Sequence, residues 1–262
     1  MEKETGFIKI FDTEIYFEFL NKQLLSEGKP LLVFLHEGLG SIEQWRDFPA
    51  LLCEKVNCPG LIYDREGYGK SEKLKEKRDS GYLQKEAEIA LPELLKKLSL
   101  QQTKKILIGH SDGGSIALIH AGIFQKNIIA VISEAAHLFI EDISVKGISE
   151  ALIQFEEGKL KDLLKKYHGE KTDSMFYGWA HTWLNPEFKK WNIEKYLPGI
   201  SAPVLAIQGQ DDQYGSFAQL KSIKKHTKNA EIKFIPNCGH TPHLQIKEEV
   251  LLIMEDFINK II

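Results

Sequence analysis

The chain is poor in several features that would otherwise decide its class. It has 3 cysteines in 262 residues, at Cys53, Cys58 and Cys238. No pair has Cys-x-x-Cys spacing and no histidine pattern accompanies them, which excludes a disulfide scaffold and a zinc module. Reduced thiols are the expectation. No run of about 20 apolar residues occurs, so no membrane span is expected. The start, Met1-Glu2-Lys3-Glu4-Thr5-Gly6, lacks the basic opening and apolar stretch of a secretory signal, and a cytoplasmic location is expected. Neither sign of charge dominates: 34 Lys and Arg face 37 Asp and Glu, for a net charge of −3. Neither nucleic acid nor a membrane is therefore expected as a partner. There is no internal repeat and no low-complexity tract. What remains, 43% hydrophobic and 27% charged residues, excludes disorder, collagen and coiled coil. At about 100–200 residues per domain, the length fits one large domain or two small ones.

Short apolar runs recur along the chain, each closing on Gly, Asp or His: Leu31–Leu35, Leu61–Tyr63, Ile106–Ile108, Ile128–Ile132, Val204–Ile207 and Ile232–Ile235. Continuous rather than alternating runs point to strands buried on both faces. Ahead of them, Phe7–Phe19 alternates around Asp12-Thr13 and reads as an edge hairpin. Between the runs lie helical patterns, such as Leu83, Ala87, Leu91, Leu94 and Leu98, where Pro92 should kink or restart the helix. Strand–helix alternation gives an α/β, mostly parallel doubly wound sheet. The alternation stops over residues 138–198, where helical patterns carry Trp179, Trp183 and Trp191. An aromatic, helical insertion after the sixth strand reads as a cap over a pocket. The expected organisation is a core of residues 1–137 and 199–262 with a cap of 138–198.

The run at 105–108 leads into Gly109-His110-Ser111-Asp112-Gly113-Gly114, followed by a helical stretch from Ser115 to Phe124. This is Gly-x-Ser-x-Gly between strand and helix. The turn is so tight that side chains at either glycine would collide, and it lifts Ser111 above the sheet at the positive end of a helix. A serine hydroxyl needs a base, and the base an orienting carboxylate. The strand ending at Ile207 is followed by Gln208-Gly209-Gln210-Asp211-Asp212, and that ending at Ile235 by Pro236-Asn237-Cys238-Gly239-His240. Both lie at C-terminal strand ends, where sites on parallel sheets assemble. Ser111, Asp212 and His240 are the expected catalytic set, with Asp211 the alternative acid. An oxyanion hole needs two backbone N–H donors. Asp112 supplies one. Gly38, in His36-Glu37-Gly38-Leu39-Gly40-Ser41, supplies the second, with Glu37 next.

These pieces, with Asp64-Arg65-Glu66-Gly67-Tyr68-Gly69-Lys70-Ser71, resemble the α/β-hydrolase superfamily over nearly the whole chain. The resemblance implies the α/β-hydrolase fold and a serine hydrolase with a Ser-Asp-His triad. It also implies that the Asp64–Ser71 turn is structural. Relatives with aspartate nucleophiles, the dehalogenases and epoxide hydrolases, are disfavoured by Ser111. Two positions depart from the common pattern. Glu37 stands where many relatives have Gly, and Ser111-Asp112-Gly113-Gly114 stands for Ser-Met-Gly-Gly. The latter is similar to valacyclovir-hydrolase-like members, which cleave amino-acid esters. Asp112 is either simply a favourable charge at a helix start or, with Glu37, the source of a negative pocket mouth.

The expected activity is hydrolysis of a small carboxylic ester, lactone, thioester or aminoacyl ester through an acyl-enzyme on Ser111. The alternatives are a carbon–carbon bond hydrolase or lyase using the same triad, or a non-catalytic ligand-binding member of the fold. Glu37, His137, Trp179 and Trp183 are expected to line the substrate pocket, with His181 a weaker candidate. His36 and His110 are expected to hold loops in place, and His243 to stand behind the site. No metal or cofactor is expected, only a small-molecule substrate, on a monomer or homodimer.

Overall fold

The continuous apolar runs are strands because they feed two cores at once. Along Leu31–Leu35, Leu32 and Phe34 enter one hydrophobic cluster while Leu31, Val33 and Leu35 enter another. All five are at most 1% exposed. Alternate side chains of a strand point to opposite faces, so a sheet covered on both sides leaves no position for a polar residue. The computed structural model describes residues 2–262. Its strands are β1 (Lys3–Ile10), β2 (Thr13–Leu20), β3 (Leu31–Leu35), β4 (Gly60–Tyr63), β5 (Lys105–His110), β6 (Ile128–Glu134), β7 (Val204–Gly209) and β8 (Ala230–Ile235). They form one sheet in the order β1-β2-β4-β3-β5-β6-β7-β8. β2 runs antiparallel to both neighbours and the rest are parallel.

The helices are α1 (Phe48–Lys55), α2 (Tyr82–Lys85), α3 (Leu91–Lys97), α4 (Asp112–Ile123), α5 (Asp142–Glu156), α6 (Leu160–His168), α7 (Thr172–Trp183), α8 (Phe217–His226), α9 (Pro242–Gln245) and α10 (Lys247–Asn259). One face of the sheet is covered by α1 and α10 through Phe48, Leu52, Val250 and Met254. The other is covered by α2, α3, α4 and α8 through Leu83, Leu94, Ile116 and Leu220. No helix among the described residues is long and apolar enough to cross a membrane.

Three details differ from the sequence reading. The hairpin turns at Phe11-Asp12, one residue earlier than expected, because Thr13 pairs with Ile10 as the closing pair. Phe11 takes the positive φ of 52° that such a two-residue turn requires. The helix through Pro92 does not simply kink. The chain stays helical through a wide π turn over Glu86–Ala90 and restarts as α3 with Pro92 in its first turn, so the expected restart takes the form of a π turn. α4 begins at Asp112, directly after Ser111.

Residues 138–198 are helical, with one isolated bridge between Phe139 and Asn192. Phe155 on α5 stacks on Phe176 of α7 at 3.7 Å. Phe176, Trp179 and Trp183 belong to the same cluster as Leu31 and Leu107 of the sheet, so the insertion shares the main core. Its last stretch packs on α4: a methyl group at Gly122 would stand 2.4 Å from the carbonyl oxygen of Tyr196.

Candidate active site

β5 ends at His110, and the chain reverses into α4 within one residue. Ser111 carries that reversal at φ 52° and ψ −115°, strained for a residue with a Cβ and held by its surroundings. Its amide donates to the carbonyl of Glu134 at 2.8 Å. The flanking glycines have no alternative. A Cβ on Gly109 would lie 2.1 Å from the carbonyl oxygen of Gly113, and one on Gly113 would lie 1.9 Å from that of Leu35.

Asp212 and His240 come from the ends of β7 and β8. His240 Nδ1 lies 2.9 and 3.0 Å from the two carboxylate oxygens of Asp212. Asp212 also accepts from the amide of Tyr214 at 2.8 Å and from Gln208 Nε2 at 3.2 Å. Burial alone would raise its pKa; the His240 charge and these bonds outweigh it and bring the carboxyl down to about 2. Asp211 is exposed and its amide bonds to the carbonyl of Cys238, so the geometry pairs Asp212, not Asp211, with the imidazole. The Tyr214 ring meets His240 edge-on at 4.7 Å.

Ser111 and His240 line one cavity of about 240 Å³, with Gly38 and Asp112 at its wall. Glu37 and His137 line it from the sheet side, and Trp179 and Trp183 from α7. Ile148 and Leu160 complete it from α5 and α6. A larger surface groove of about 530 Å³ between residues 74–80 and α7 contains none of the Ser111, Asp212 and His240 side chains. It is there that His181 lies, so His181 does not reach the cavity holding Ser111. The amides of Gly38 and Asp112 donate to no group among the described residues, and both remain available to a ligand atom.

The acidic departures do not leave a free negative charge at the cavity. The Glu37 carboxylate pairs with His110 Nδ1 at 3.3 Å. His110 is fully buried, which opposes its charge, yet the Glu37 bond and charge raise its pKa to about 9. His110 then donates from Nε2 to the carbonyl of His240 at 2.8 Å, tethering the loop that carries the imidazole. The Asp112 carboxylate is 1% exposed. It accepts from Tyr82 Oη at 2.6 Å and lies 3.7 Å from Arg65 Nη2. The expectation of a negative mouth is thus corrected, because buried carboxylates find cationic or donor partners when these are in reach.

The remaining histidines hold structure. His36 Nδ1–H donates to the Glu37 carbonyl at 2.8 Å and Nε2 accepts from the Arg65 amide at 3.1 Å. His137 Nε2–H donates to the carbonyl of Tyr214 at 3.0 Å, bracing the loop after Asp212. Burial, and then the neighbouring His240, lower the His137 pKa. His243 Nδ1 lies 2.8 Å from Glu134. His110, Glu134 and His243 form one trio of ligand-type side chains, with atoms within 4.8 Å of one another. Both nitrogens of His110 are taken by Glu37 and the His240 carbonyl, and Glu134 Oε1 by His243, while Glu134 Oε2 is buried without a partner. Arg65, Tyr82, His168, Gln208 and Tyr214 were not singled out as site residues. Arg65 lay inside a turn read as structural, and the others carry no local pattern.

A family model described as the alpha/beta hydrolase family matches residues 32–251. The human serine hydrolase BPHL is 26% identical over 250 residues, covering 91% of this chain and 82% of its own. A proline iminopeptidase from Saccharolobus solfataricus is 24% identical, covering 98% of this chain and 93% of its own. The solved structure of an enol-lactonase from Burkholderia xenovorans superposes with a TM-score of 0.74 at 17% identity, covering 97% of this chain and 100% of that one.

Proposed function

The chain belongs to the alpha/beta hydrolase family, and on that premise we propose that it is a serine hydrolase of small carboxylic esters, including lactones, thioesters and aminoacyl esters. The carrying observation is the Asp212–His240 pair, at 2.9 Å, beside a cavity that Ser111 also lines. Ser111 attacks the carbonyl carbon while His240 takes its proton through Nε2. Asp212 fixes the tautomer with its bond to Nδ1 and stabilises the imidazolium. The free amides of Gly38 and Asp112 hold the oxyanion. His240 then protonates the leaving group, and water repeats the sequence on the acyl-enzyme.

In this reading residues 138–198 act as a cap that limits substrate size and excludes water. A cavity of about 240 Å³ walled by Trp179, Trp183, Ile148 and Leu160 suits a compact, largely apolar acyl group. Since Glu37 and Asp112 are already paired, a neutral acyl group is favoured over a charged one. The names of the relatives, a serine hydrolase and a proline iminopeptidase, agree with acyl transfer to water and leave the substrate open.

The test is labelling by a fluorophosphonate probe together with turnover of p-nitrophenyl acetate. Wild type is expected to label and Ser111→Ala is not, with hydrolysis lost by about 10⁴-fold or more in the variant. Equal labelling of the two proteins would end the proposal.

A further inference from the structure

Two of the polar side chains that join the insertion to the body, His168 and Trp183, lead to the walls of the Ser111 cavity. His168, at the end of α6, is 2% exposed. The amide of Gly69 donates to its Nδ1 at 3.0 Å, and its Nε2–H donates to the carbonyl of Leu39 at 3.0 Å. Both ring nitrogens are used, so the ring has one tautomer and one orientation. Leu39 follows Gly38. The carbonyl of Gly38 accepts from Tyr68 Oη at 2.9 Å, and the Tyr68 ring meets His168 edge-on at 6.0 Å. The carbonyl of Glu37, in the same peptide unit as the Gly38 N–H, accepts from Arg65 Nη2 at 2.8 Å. Carbonyl and N–H of a trans peptide point opposite ways. Holding that carbonyl on Arg65 therefore turns the Gly38 N–H away from it.

A second chain of bonds starts on α7. Trp183 Nε1–H donates to Tyr82 Oη at 2.8 Å, and Tyr82 Oη–H donates to Asp112 Oδ2 at 2.6 Å. Asp112 carries the other free amide. Arg65 Nη2, 3.7 Å from the same carboxylate oxygen, joins the two chains. Trp183, Tyr82, Asp112 and Arg65 are each at most 5% exposed, so breaking a link leaves a buried polar group without its partner.

We propose that the insertion sets both oxyanion donors through these two arms, with His168 acting on the Gly38 loop and Trp183, through Tyr82, on Asp112. His168, Tyr82 and Trp183 are positioning residues for the acyl transfer proposed above, on which this inference rests. Seating α6 and α7 completes the oxyanion hole, so turnover depends on the cap being in place and not only on the cap choosing the substrate. The energy involved is carried by transition-state bonds, so loss of an arm lowers kcat more than it raises KM.

Three variants test this in the full-length protein. His168→Phe keeps a ring of similar size and removes both bonds. His168→Gln presents an amide oxygen and nitrogen at about the spacing of the two ring nitrogens. Tyr82→Phe cuts the second arm by one hydroxyl. With p-nitrophenyl acetate, His168→Phe is expected to lower kcat about 10-fold or more with KM changed less than about 3-fold, and His168→Gln to recover most of the loss. Tyr82→Phe is expected to lower kcat about 3- to 10-fold, and it carries the test if His168→Phe does not fold. Amide hydrogen exchange gives a readout independent of activity. The peptide containing Gly38–Gly40 should exchange faster in His168→Phe than in wild type or His168→Gln. Unchanged kcat in His168→Phe and Tyr82→Phe, equal losses in His168→Phe and His168→Gln, or unchanged exchange at the Gly38 loop would each overturn the inference. A wild type that neither labels with fluorophosphonate nor turns over esters would instead sink the hydrolase reading, and exchange would still decide whether the arm exists.

Discussion

A methyl group added at Gly113, on the sheet side of the cavity, would stand 1.9 Å from the carbonyl oxygen of Leu35. One added at Gly178, in α7 on the other side, would meet nothing closer than 3.5 Å, and only the ends of Arg78 and Leu74. The elbow is fixed by backbone against backbone, which cannot relax. Around α7 the insertion is held by side chains against side chains, such as Phe155 on Phe176 and Trp183 against Phe188 at 5.1 Å, which can. In the proposed reaction the reacting groups therefore stand on the rigid side, and the surfaces that would choose a substrate stand on the adaptable one.

The sharpest way to break this comparison is Gly113→Ala. Overpacking against backbone is expected to cost about 3 kcal/mol or more, or to prevent folding, measured by urea denaturation. A variant as stable as wild type would mean that the elbow relaxes after all. A second test concerns the buried charge on the rigid side. The His110 pKa is raised from its ordinary 6.5 to about 9. Its contribution is complete below about pH 6.5 and is lost as pH rises through about 9, a loss on the order of 3 kcal/mol. Glu37→Gln should abolish that alkaline decline and should be the less stable protein at pH 6.5, since the ion pair is lost and burial then drives the proton off His110. An unchanged pH profile would remove the pair from the account. The smallest effect belongs to Gly178→Ala, which should stabilise by about 0.5–1 kcal/mol because helix interiors favour alanine. A destabilised variant would show α7 to be as tightly constrained as the elbow.

The same division decides what could be read from the sequence. The placement of Ser111, Asp212 and His240 at the ends of β5, β7 and β8 was legible because each follows an apolar run and two glycines mark the first turn. Asp212 was preferred over Asp211 on its Gly-x-x-Asp spacing, and in the structure it is Asp212 that turns inward to His240 while Asp211 is exposed. The fates of Glu37 and Asp112 were not legible. Their partners, His110, Tyr82 and Arg65, lie 73, 30 and 47 residues away, and no local pattern encodes a meeting at that distance. His181 was misplaced for a related reason: an aromatic helix shows which residues share a face and not which cleft that face meets. The continuous runs gave the strands cleanly, and the π turn before Pro92 was missed because an extra residue in a helix leaves no compositional mark.

The stacked Phe155 and Phe176 belong to one cluster with the side chains of the central strands β3 and β5. Anyone wishing to retarget this protein by transplanting helices from a cousin would consequently be cutting through a single interior rather than unscrewing a lid. A workable chimaera must bring along the donor's counterparts of Tyr68, Tyr82 and Arg65 as well as its helices.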